Sequence, residues 1–160
     1  MAQATFTSND DPFQNLRDAF DRLQTPDRTD LEPASDAIRQ GFAKRFAEES
    51  SGDGQKWAPL AKSTIKDRQR EGLGEHPIHR RSDSLLDTFI NPENPDHIST
   101  FGAYAGEWVF QEGSADDRAV WLGEGTATIP SRPMVELSDS DEELVGAAMD
   151  RVFDRIMGFF

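Results

Sequence analysis

Apolar side chains first recur at helical spacing in Phe13, Leu16, Phe20 and Leu23, which share one face of a predicted helix. Asp11-Pro12 opens that helix, with an acid at the cap and proline at the first helical position. Thr25-Pro26-Asp27 closes it. A second stripe, Ile38, Phe42 and Phe46, predicts a helix from about Ala34 to Glu49, followed by the turn-forming loop Ser50-Ser51-Gly52-Asp53-Gly54. A short charged helix is expected from Ala61 to Glu71, ending at Gly72-Leu73-Gly74. His76-Pro77-Ile78-His79 reads as extended. Ser82 is placed to cap a helix carrying Leu85, Leu86, Phe89 and Ile90, which Asn91-Pro92 breaks.

The period then changes from helical to alternating. His97 to Phe101 and Glu107 to Gln111 read as two strands, with Trp108 and Phe110 on one face and Gly102 to Gly106 as their turn. Asp116 to Leu122 is expected to be a short helix. Ser140-Asp141-Glu142-Glu143 has the form of a capping box. It is expected to open a last helix with Val145, Met149, Val152 and Ile156 along one side and Gly158 at its end. Between these two helices lies Ile129-Pro130-Ser131-Arg132-Pro133-Met134. Pro130 and Pro133 fix their own φ and push the preceding residues towards extended backbone. The segment therefore reads as a stiff arm that holds Arg132 in place, through a carboxylate or through backbone carbonyls. Residues 1–32 are expected to form an N-terminal extension with one helix, and residues 33–160 the main domain.

Composition narrows the class. Only 36% of the residues are hydrophobic and the net charge is −13, from 30 acids against 17 bases. Binding to nucleic acid normally works by neutralising phosphates with Lys and Arg, so direct DNA binding is disfavoured. There is no cysteine, which removes disulfides, thiol catalysis and cysteine metal sites. No apolar run reaches the length of a membrane span, and the N-terminus lacks the basic and apolar regions of a secretory signal.

Candidate chemistry is thin. Glu75, His76 and His79 resemble a metal cluster, but Pro77 keeps the two histidines off a common helical face, and a solvated connector explains them better. Ser82-Asp83-Ser84 beside His79 hints at a nucleophile, yet helix capping accounts for the same residues. The pairs Asp10-Asp11, Asp116-Asp117 and Glu142-Glu143 fall at predicted helix starts, where negative charge favours the helix dipole. The glycines form no phosphate-binding pattern. No catalytic residue, metal or cofactor is assigned.

Several pieces, in order, resemble the Mu-like phage virion-morphogenesis family, also called the tail-completion family. Gly54-Gln55-Lys56-Trp57-Ala58-Pro59-Leu60 matches its Gly-x-x-Trp-x-Pro-Leu anchor. Pro77 to Leu85 resembles its second element, with Asp83 where the family usually has Gly. Ala119 to Gly125 resembles its Tyr-Ala…His-Gln-x-Gly segment without the Tyr and His; Arg118 and Trp121 lie nearby. Ile129-Pro130-Ser131-Arg132-Pro133 matches its arm, with Met134 for the usual Phe. The resemblance spans about Phe42 to Met157.

It implies an α+β fold in which a small antiparallel sheet is flanked by helices, with long N-terminal and C-terminal helices. It implies a structural virion protein rather than an enzyme, in a homo-oligomeric ring, a hexamer matching the tail's symmetry, at the head-proximal end of the tail or in the neck. Its partners would be other neck, connector and tail-tube proteins, and it would meet DNA only as the genome passes through the lumen, with no membrane contact. It would be made in the host cytoplasm and end in the virion. The structural or interface candidates are Trp57, Pro59, Leu60, Leu85, Trp121, Pro130, Arg132 and Pro133. Trp57 is expected to pack under Pro59 and Leu60 and pin the loop after the second helix. The rival reading is an acidic DNA mimic or regulatory binding protein, which needs acids aligned on one face; here they are scattered.

Overall fold

The computed structural model describes residues 12–25, 28–104 and 107–158. The proposed cap Asp11, the side chains of Phe13, Trp108 and Phe110, and the terminal Phe159 and Phe160 lie outside what is described. The architecture is α+β: helices surround a two-stranded antiparallel hairpin.

Helix α1 runs Pro12–Gln24 and helix α2 runs Arg28–Glu48. Helix α2 starts six residues before the expected Ala34, with Pro33 inside it. Tertiary burial overrides the proline break: Leu31 and Asp30 are almost fully buried, and Arg22 of α1 ion-pairs with Asp30. The predicted stripe holds. Ile38, Phe42 and Phe46 join Trp57, Ile78, Leu85, Phe89 and Met134 in the main core. Its aromatic centre is tightly interlocked, with Phe42 and Phe89 ring centroids 5.1 Å apart and Phe46 and Phe89 5.7 Å apart.

Helix α3 (Lys62–Arg70) and helix α4 (Ser84–Ile90) follow. Ser82 does not cap α4 as expected. The cap position is Asp83, in left-handed backbone at φ 56 with no side-chain cap bond, while Ser82 Oγ donates to Ser84 Oγ at 3.1 Å. Glycine adopts that conformation freely and aspartate tolerates it. The residues before it are not extended either: His79 has φ 62 and lies in a turn.

Strands β1 (His97–Tyr104) and β2 (Glu107–Ser114) are longer than predicted, and the supposed turn residues Gly102 and Ala103 pair with Val109 and Trp108. The hairpin is tied down by polar groups. Glu112 of β2 accepts from Ser99 Oγ at 2.8 Å and lies 3.4 Å from Arg39 of α2 and 3.1 Å from His97 Nε2. Ser114 Oγ donates to Thr88 Oγ1 of α4 at 2.7 Å.

Helix α5 runs Asp117–Glu124, capped by the Asp116 side chain, and helix α6 runs Asp139–Met157. The capping box of α6 is shifted two residues from the expected Ser140: Ser138 accepts from the Asp141 amide at 3.1 Å, and Asp141 accepts from the Ser138 amide at 2.9 Å. Asp141 is chosen because it must also meet Arg45 of α2, with which it forms a buried ion pair. Val152 and Ile156 of the predicted stripe are buried on α6, Val145 and Met149 are half-buried, and Ala148, outside that stripe, is buried beside them.

Candidate functional site

The anchor loop and the arm are far apart in sequence and lie against each other in the fold. Each residue of the arm from Ser131 to Met134 is fastened by a separate hydrogen bond. The Arg132 amide donates to Leu122 O at 3.0 Å, and Ser131 Oγ donates to Gly123 O at 2.6 Å. Both satisfy carbonyls in the last turn of α5, which would otherwise lack partners. The Arg132 guanidinium reaches across to the anchor, where Nε donates to Ala58 O at 2.8 Å and an Nη donates to Pro59 O at 3.0 Å. In return, Trp57 Nε1 donates to Pro133 O at 3.0 Å. Arg45 Nε donates to Met134 O at 2.9 Å, and its Nη1 pairs with Asp141 at the start of α6.

The sequence makes this possible by leaving the arm's carbonyls free. Proline breaks strand and helix pairing, so the carbonyls of Pro133 and Met134 need side-chain donors when buried. Arg132 is 3% exposed, Arg45 is 3% exposed and Met134 is 1% exposed. The planar guanidinium suits Arg132 to a fork over two carbonyls in a way that a lysine would not be. Burial holds the Arg132 pKa below its usual value. At Asp141 burial works against the charge, but hydrogen bonds from Ser138 and the Arg45 cation outweigh it and hold the carboxyl below the usual carboxylate range.

Two glycines let backbone and side chains approach this closely. A Cβ at Gly52 would stand 2.4 Å from Glu136 O on the chain that continues the arm, and one at Gly41 would stand 2.5 Å from Asp141 Oδ1. Both positions therefore exclude a side chain as the site stands.

The Trp57 indole meets Phe46 edge-on at 5.5 Å and His79 at 4.8 Å. Leu60 packs at the margin of this cluster, and Pro59 is exposed and contributes its carbonyl. His79 is thus half-buried between aromatic rings rather than part of a solvated connector. Burial first, and the Arg132 cation second, push its pKa down to about 4, against an opposing pull from Glu49. His76 instead pairs with Glu49 at 2.6 Å, and Glu49 also accepts from the Ile78 amide at 2.7 Å. Among the described residues no group of three or more His, Asp or Glu could hold a metal. Ser82 and Ser84 bond each other, and Asp83 pairs with Arg80 at 2.7 Å.

These contacts join the two segments that carry the sequence resemblance, and the comparison with protein families agrees with it. The model of the phage virion morphogenesis family matches residues 11–154. The chain belongs to the phage virion morphogenesis family. It is a phage morphogenesis protein with a structural role in the particle. No curated protein and no solved structure matches it. No helix among the described residues is long and apolar enough to cross a membrane.

The anchor and the arm that resemble the family's motifs therefore form one clamp in this chain. Trp57, Pro59, Arg132 and Pro133 take part in it directly, with Leu60 alongside, and Leu85 lies in the core beneath. Pro130 is exposed at the arm's start. Trp121 does not join them: it is 57% exposed on the outer side of α5. Arg118 pairs with Asp116. Sequence reading did not single out Arg45, named Asp141 only as part of a capping box, and met His79 only as a metal or nucleophile candidate. The signal for Arg45 was its place three residues after Phe42 and one before Phe46, on the buried side of α2, where an unpaired cation could not remain.

Proposed function

We propose that the protein is a ring-forming subunit at the head-proximal end of the tail or in the neck, a tail-completion or head–tail joining component. The observation that carries this is the clamp. The features that mark the family are used to lock a stiff arm and the start of the last helix to the body, giving a rigid block suited to stacking against neighbours. Homo-oligomerisation into a hexamer would match the tail's symmetry, with neck, connector and tail-tube proteins above and below. Acidic side chains lining the bore would repel DNA phosphates and keep a passing genome from sticking; a charge of −13 per subunit supplies them.

The test is cryo-electron microscopy of particles from the encoding phage, with Arg132→Ala beside the wild type. The expected map shows a ring of this chain in the neck or at the tail end. The Arg132→Ala phage should accumulate heads and tails that fail to join. A map with a single copy, or with none in the neck or tail, overturns the reading.

A further inference from the structure

Charge is unevenly distributed along this chain. Residues 56–81 hold seven Lys and Arg against three Asp and Glu, a basic island in a chain of net −13. Its centre is α3, where Lys62 and Lys66 are exposed, one helical turn apart, and without an ion-pair partner among the described residues. On the other side of α5 is a cleft of about 390 Å³ between α5 and the arm, floored by Ala119, Pro133 and Met134. Val120 is 51% exposed and Val135 59% exposed at this cleft, and Trp121 continues the apolar surface beside it. Glu124 and Glu136 rim the cleft, exposed and without an ion-pair partner among the described residues. The opposite flank of α5, bearing Arg118 and Leu122, faces Thr64 and Arg68 of α3 across a separate cleft. The basic face and the apolar cleft are therefore different surfaces.

We propose that the acid-rimmed apolar cleft of one copy receives the α3 face of the next, the head-to-tail contact of the assembly. This rests on the ring reading and names its interface. Two copies of so acidic a chain repel each other wherever acid meets acid, and like charges facing each other across an interface cost several kcal/mol. A contact that brings a basic face against an acid-rimmed surface avoids that. The apolar cleft supplies burial that a purely ionic contact would lack. Because the two surfaces differ, the contact is heterologous and generates a closed ring if the rotation between copies closes.

The chain has no cysteine, so two can be introduced at exposed positions: Ser63→Cys beside the α3 lysines and Val120→Cys in the cleft. Assembled particles are treated with a flexible bismaleimide and run on denaturing gels. The double variant should give a ladder of multimers, and each single variant monomer alone. Lys62→Glu/Lys66→Glu in that background should weaken the ladder about tenfold or more, and adding Glu124→Lys/Glu136→Lys should restore it. Circular dichroism checks that these surface variants fold. Particles with the ring in the map but no ladder overturn the interface and leave the ring standing; particles without a ring overturn both. Dimers from a single-cysteine variant point to a two-fold contact and overturn the proposal. So does a charge-reversed α3 that keeps the ladder and instead loses binding to a short DNA duplex.

Discussion

The arm leads into α6 and the N-terminal helix packs beside it, and they are held in different ways. At the arm, the carbonyls of Pro133 and Met134 accept from Trp57 and Arg45, the Arg132 guanidinium donates to Ala58 O and Pro59 O, and Met134 fills the core. At α1, a small apolar cluster of Ala19 against Val152 and Ile156, with Leu23 and Met157 at its margin, is joined by the Arg22–Asp30 ion pair. Phe20 stays 50% exposed, as does Phe153 of α6 at 51%. The arm has almost no regular structure and should be the more rigid of the two, because its polar groups are tied to partners in α2, α5 and the anchor that would be costly to leave unpaired. Helix α1 has regular structure and little to bury. Regularity and rigidity are separate properties in this molecule.

The strongest blow to the contrast is Trp57→Ala. Truncating a buried aromatic costs about 3–5 kcal/mol, and this one also strips the donor from Pro133 O. Thermal melting followed by circular dichroism should show a lowered midpoint or no cooperative transition. An unchanged midpoint would mean that the anchor is held by something other than its indole. Asp141→Asn sharpens the same point, since it leaves Arg45 buried without its anion. A loss of about 3–5 kcal/mol in urea unfolding is expected, and wild-type stability would show that the pair contributes little to holding α6.

Arg132→Ala removes two charge-assisted bonds to the Ala58 and Pro59 carbonyls and should cost about 3 kcal/mol. Arg132→Lys keeps the charge and loses the fork, so it should fall between Ala and wild type. Equal stabilities for Arg and Lys would dissolve the fork as the reason for arginine.

His79 gives the arm region a pH dependence. Its folded pKa lies near 4 against an ordinary 6.5, so the folded protein keeps it neutral. The stability this provides is fully present above pH 6.5. It is lost as pH falls from there to pH 4, because the unfolded chain takes up the proton first, by about 3 kcal/mol in all. His79→Asn, which tolerates the left-handed backbone, should flatten that part of the curve in urea unfolding at stepped pH; an unaltered curve would assign the effect elsewhere. The smallest effect is expected from Phe20→Ala at α1, about 1 kcal/mol or less. A loss as large as that of Trp57→Ala would erase the distinction between the two regions.

Much of this was legible before any coordinates. The Ile38, Phe42, Phe46 stripe and the Val152, Ile156 stripe are local periodicities, and a helix displays them whatever it packs against. The two prolines of the arm fix extended backbone by covalent geometry alone, and the order of anchor, helix, hairpin and arm carried the family. Boundaries were another matter. The start of α2 moved across Pro33 and the cap of α6 moved from Ser140 to Ser138, because Asp30 and Asp141 answer to Arg22 and Arg45, residues outside their own helices. Sequence could say that Arg132 is held and by what classes of group. Only the tertiary structure chose Ala58 O and Pro59 O, and made His79 a neighbour of Trp57, since which groups are buried together depends on how elements distant in sequence pack, and burial is what decides where an unpaired donor or charge cannot remain.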